Sequence, residues 1–133
     1  MDIYNLNAQS EINDSVKLKR AIAQQLADET DFTDYGIRGI YLFGSVARGE
    51  ARKESDIDLL FHVNNTDTQQ IMLLQWLKGW DRALCTTALL SSGKMPPYVL
   101  DIHIATEEDI QNNDSFAYKM KSLFDPAEPL KIL

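Results

Sequence analysis

The chain has 133 residues, 44% hydrophobic and 25% charged, which is ordinary for a globular protein and enough for one domain, 1–133, with a real core. No run approaches the roughly 18–20 apolar residues that span a bilayer, and no apolar segment follows a basic start, so no membrane role and no secretion signal are expected. A net charge of −7 argues against broad nucleic-acid binding, which needs clustered Lys and Arg, and suits a basic protein partner better.

Ile12, Val16, Ala23, Leu26 and Ala27 recur at helical spacing and predict a helix over Ser10 to Glu29, with Ser10 as its cap. Lys17, Lys19 and Arg20 make only a small basic patch on it. Asp31 to Arg38 reads as a turn, and Ile40 to Phe43 as a short strand. Gly44-Ser45 breaks that strand. Ser45 suits the N-cap of a short helix over Val46 to Arg48, and Gly49 suits its end. Asp56 to Val63 is the next strand. Thr66 to Ser91 reads as one long helix or as two broken near Gly79. Its apolar positions, Ile71 to Leu74, Trp76, Leu77, Trp80 and Leu84, cover so much of its girth that burial on more than one side is expected. Core packing accounts for that, and so does a partner or dimer surface including Trp76 and Trp80. The single Cys85 falls in this stretch, reads as a small buried hydrophobe and forms no internal disulfide, in keeping with a reducing cytoplasm. Residues 91–97 form a loop, Tyr98 to Ile104 a strand, and Thr106 opens a capped helix. Ser115 to Leu123 reads as another short helix, and Pro126 and Pro129 as an irregular tail.

The chemistry concentrates in Gly44 to Asp58, GSVARGEARKESDID. A strand, a Gly-Ser turn and a helix start aim backbone N–H groups at one spot, which attracts phosphate. Ser45 can add a hydroxyl. Arg48 can add charge, or pair with Glu50 or Glu54. Side chains alternate along a strand, so Asp56 and Asp58 share a face and Ile57, Leu59, Phe61 and Val63 take the other. Two adjacent carboxylates repel unless a cation sits between them, and Mg²⁺ beside a triphosphate fits. The competing reading is a solvated Asp-x-Asp turn. Ser55 can simply cap that turn, Arg52 and Lys53 read as solvated, and His62 receives no role.

Gly-Ser, ten residues, then Asp-x-Asp resembles the signature of the DNA polymerase beta-like nucleotidyltransferases. Tyr41 to Phe61 is similar to their minimal stand-alone branch, which includes the MntA-like antitoxins partnered with HEPN toxins. The resemblance implies an α/β (α+β) fold: a small mixed β-sheet flanked by helices. It also implies a third carboxylate on a neighbouring strand. Asp101 fits best, because Leu100, Ile102 and Ile104 alternate with Asp101 and His103; an exposed edge-strand Asp is the other reading, and Asp109 and Asp114 compete. His103 would line the site or be an ordinary strand residue. By the same resemblance Gly44 and Ser45 hold the outer phosphates of ATP, while Asp56, Asp58 and Asp101 hold two Mg²⁺ ions. AMP then passes to a hydroxyl of a protein partner. A contact-only antitoxin and a small-molecule nucleotidyltransferase are the rivals.

Overall fold

The computed structural model describes residues 3–112 and 127–133. Helix α1 spans Ile3–Glu29. It begins well before Ser10, which therefore does not cap it; no Gly or Pro interrupts the sequence between. Ala23, Leu26 and Ala27 are fully buried on its inner face. The expected turn after it holds one turn of helix, α2 (Phe32–Tyr35), where Asp31 accepts from the Asp34 N–H at 2.8 Å. Strand β1 then covers Ile37–Phe43, starting earlier than the apolar run Ile40 to Phe43 indicates. A register shift between Ile37 and Gly39 puts Ile37 on the same buried side as Ile40 and Leu42.

Helix α3 is the single turn Gly44–Ala47, and β2 spans Ile57–Val63. The long helix is one piece, α4 (Asp67–Ser92). Thr66 and Gln69 form a reciprocal capping box at its start, and it passes through Gly79 unbroken. Strand β3 is Leu100–Thr106, and α5 is Glu107–Gln111, capped by Thr106 as expected. Strand β4, Glu128–Ile132, replaces the irregular tail expected around Pro129. It is an edge strand, where a missing N–H is tolerated. The expected helix Ser115 to Leu123, Pro126 and Asp114 lie outside the described residues.

The result is an α+β fold with a mixed four-stranded sheet, order β3-β2-β1-β4, flanked by helices. Strand β1 is antiparallel to β2 and β4, whereas β2 and β3 run parallel. A parallel pair needs a long crossover, and α4 supplies it. Ile57, Leu59, Phe61 and Val63 are fully buried against α1 and α4, on the face their alternation predicts. Each large side chain so buried contributes about 1.5–3 kcal/mol. Leu60 joins Phe43 and Ala105 in a second cluster on the opposite face.

Helix α4 is not buried on more than one side. Leu73, Leu77 and Cys85 are buried, while Ile71, Met72 and Leu74 stay exposed. Trp76 and Trp80 are partly buried and pack against the core, the packing their positions lead one to expect. The Trp76 indole N–H donates to Thr30 Oγ1 at 3.3 Å and its ring stacks on Tyr35. Lys19 is not part of a surface patch either: it is only 9% exposed. Cys85 is a buried free cysteine, as its setting implies. Among the described residues, no helix is long and apolar enough to cross a membrane.

Candidate active site

The C-terminal end of β1 meets the N-terminal ends of β2 and β3 at one corner of the sheet. The antiparallel ladder sets Phe43 opposite Asp58, and the parallel ladder sets Asp58 beside Asp101. Residues 58 and 101, far apart in sequence, thus become direct neighbours. A cleft of about 440 Å³ opens there, and Gly44, Ser45, Arg48, Asp56, Asp58 and Asp101 all line it. Phe43, Ser55 and His103 complete its wall.

Gly44 makes the approach possible. Its φ is +73°, a conformation that side chains other than glycine's resist, and a Cβ built there would stand 2.1 Å from Asp58 Oδ2. Ser45 is not the N-cap. Phe43 holds that position without a side-chain bond, and Ser45 lies in the first turn of α3, whose N–H groups have no preceding helical turn to accept them. Gly49 ends the turn as expected. The N–H groups of Gly49 and Glu50 donate to the carbonyls of Val46 and Ser45 at 3.1 and 2.9 Å, the paired bonds of a Schellman motif. Arg48 lines the cleft and also pairs with Glu50, Nε to Oε2, at 3.1 Å. Ser55 caps its turn, accepting from the Arg52 N–H at 2.9 Å.

Asp56 lies one residue before β2 rather than within it. It still faces the cleft because the Ile57 N–H donates to the Val99 carbonyl at 2.9 Å, tying the two strand entries together. Burial raises the Asp56 carboxyl above the usual carboxylate range; the Tyr98 hydroxyl directed at it pulls the other way, and the charge of Asp101 adds to the rise. The Tyr98 hydroxyl is in turn raised, first by the negative charge of Asp56.

Asp58, Asp101 and His103 each offer a ligand atom, and these atoms lie within 4.8 Å of one another. Two carboxylates and an imidazole form a donor set that fits a divalent cation. His103 Nε2 is 3.4 Å from Asp101 Oδ2, and its ring tilts against Phe43 at 5.1 Å between centroids. Asp109, a competitor for the third carboxylate, is engaged in the α5 capping box with Thr106. His62, given no role, stands at the far end of β2, 3.2 Å from Glu107.

His103, which the sequence leaves open between lining the site and being an ordinary strand residue, does line the cleft, whereas the sequence reading gave no part in the site to Tyr98, Asp81 or Lys19. Asp81 was legible in one respect. It falls between Leu77 and Cys85 on the buried stripe of α4, where a carboxylate needs partners. Its Oδ1 accepts from the N–H groups of Val99 and Leu100 at 2.7 and 2.8 Å, fixing the entry to β3.

The family model for the nucleotidyltransferase domain matches residues 23–119, well over half of the chain. The chain belongs to the nucleotidyltransferase domain family, and its glycine turn and carboxylates lie inside the matched span. Among solved structures it is similar to a crystallised Sulfolobus solfataricus protein provisionally named a nucleotidyltransferase. That match has 19% identity over 79% of this chain and 78% of the other, with a TM-score of 0.35. No curated protein matches this chain.

Proposed function

We propose that this nucleotidyltransferase moves AMP from ATP to a hydroxyl of a protein partner, with Mg²⁺ as cofactor. The partner is a HEPN-type toxin, this chain is its antitoxin, and both work in the cytoplasm. The observation that supports the reading best is the meeting of Asp56, Asp58 and Asp101 with the Gly44-Ser45 turn in one cleft. The partner rests on the likeness of Tyr41 to Phe61 to the minimal branch.

The first-turn N–H groups at Gly44 and Ser45 bind the outer phosphates, and Arg48 adds positive charge at the rim. Asp56, Asp58 and Asp101 hold Mg²⁺, with His103 alongside. Bound there, Mg²⁺ neutralises phosphate charge and lowers the pKa of the acceptor hydroxyl. Asp101 accepts the hydroxyl proton. The acceptor oxygen bonds to the alpha phosphorus as the bond to the bridging oxygen breaks, and pyrophosphate leaves. The chain itself contributes position and charge rather than a nucleophile.

The test is incubation with labelled ATP, Mg²⁺ and a co-purified protein encoded by the neighbouring gene. Label on that protein is the expected result. A stable complex without label would favour neutralisation by contact, and label on a small molecule would favour the remaining rival. Asp101→Ala should abolish transfer and keep some nucleotide binding; near wild-type transfer would remove Asp101 from the mechanism.

A further inference from the structure

A lysine is rarely buried unless its charge is met, because an ammonium taken out of water loses its hydration. Lys19, on α1, is only 9% exposed, and burial lowers its pKa despite the nearby charges of Asp56 and Glu54. Its Nζ donates to the carbonyls of Arg52, at 2.6 Å, of Lys53, at 3.1 Å, and of Ser55. An ammonium has three donors, and here all three close on one short loop. That loop joins α3 to β2 and lies outside the sheet ladder. The third acceptor matters most. The Ser55 carbonyl belongs to the peptide bond that carries the Asp56 nitrogen, so holding that oxygen fixes the plane from which Asp56 departs.

We propose that Lys19 is a positioning residue for the metal site: rooted in α1, its ammonium clamps the 52–55 loop and so aims the Asp56 carboxylate into the cleft. The claim rests on the proposed use of a divalent cation. It differs from a purely structural role in one respect. Arg52, Lys53 and Glu54 are exposed, so water can reach this part of the loop once the ammonium is gone. Removing Lys19 therefore loosens the loop more than it unfolds the core, and the loss falls on Asp56.

Mn²⁺ alone serves as a spectroscopic probe for the site, with uptake followed by electron paramagnetic resonance. Wild type, Lys19→Met, Asp56→Asn and the double variant are compared, with circular dichroism to confirm folding. Lys19→Met keeps the apolar stem. It should bind Mn²⁺ roughly tenfold or more weakly, the range seen when a residue supporting a ligand is removed. The same substitution should add almost nothing once Asp56 is Asn, because the effect runs through that carboxylate. Amide exchange should quicken at residues 52–57 and stay unchanged in β1. If Lys19→Met does not fold, Lys19→Gln replaces it; a shorter amide with two donors cannot satisfy all three carbonyls and should give a smaller loss of the same kind. Equal Mn²⁺ affinity in wild type and the Lys19 variant overturns the proposal while leaving the metal site standing. An equal loss with and without Asp56 overturns it too, by making Lys19 a general support. A wild type that takes up no Mn²⁺ sinks the metal reading itself, and this proposal with it.

Discussion

Replacing Gly44 by Ala tests the closest approach in the cleft. The new Cβ would lie 2.1 Å from Asp58 Oδ2 and 2.9 Å from its Cγ, on a backbone with φ +73°. The left-handed conformation alone costs an alanine about 1–2 kcal/mol. Forcing a methyl group into an occupied space adds about 1–3 kcal/mol if nothing yields. The sum, roughly 2–5 kcal/mol, corresponds to a fall in Tm of roughly 6–25 °C for a chain of this size. Asp58 has one way out: its carboxylate can swing aside, which recovers stability but carries a ligand out of the cleft. Thermal melting and Mn²⁺ titration must therefore be read together. Gly49→Ala is the control, because its φ is +76° yet nothing lies within 4 Å of the added carbon. It should lose only the backbone part, about 1–2 kcal/mol, and bind Mn²⁺ normally. A Gly44→Ala protein that melts no lower than Gly49→Ala and binds Mn²⁺ as wild type does would refute the close contact.

Burial raises the Asp56 carboxyl above its ordinary 3.8, so the folded chain keeps a proton that the unfolded chain has released. Its contribution to stability is present below 3.8 and is lost as pH rises through the raised folded value, so metal-free Asp56→Asn should gain on wild type across that window in denaturant titrations. For the same reason Mn²⁺ uptake by wild type should weaken on acidification at a higher pH than an ordinary carboxylate requires. Gly79→Ala, mid-helix with open space around the added carbon, should stabilise by about 0.5–1 kcal/mol in urea unfolding. Asp81→Ala leaves the N–H groups of Val99 and Leu100 without their acceptor and should cost about 2–4 kcal/mol in the same assay.

The features legible in the sequence are those set by local chemistry and period. The alternation of Ile57, Leu59, Phe61 and Val63 announced their face, and Thr66 and Thr106 announced two helix starts. Gly-Ser and Asp-x-Asp pointed to the cleft because their types and spacing are unusual in combination. Features made by tertiary pairing were not legible. Strand β4 exists because β1 offers it a ladder, against the preference of Pro129. Arg38 extends β1 beyond its apolar run for the same reason. The girth of α4 misled because Ile71, Met72 and Leu74 are apolar and exposed, which no periodicity argument anticipates. Lys19 looked like an ordinary surface cation because its three acceptors are main-chain oxygens from a loop more than thirty residues away.

The parallel register of β2 and β3 has one more consequence. Interstrand hydrogen bonds, not the length of the crossover, set the distance between Asp58 and Asp101. The exposed stretch after Gly93 could therefore be lengthened or severed without altering how the acids meet, since a longer connection adds little closure entropy. Cut there, the polypeptide divides into two fragments, each bearing part of the acidic cluster, and cation uptake would report when the halves find each other again.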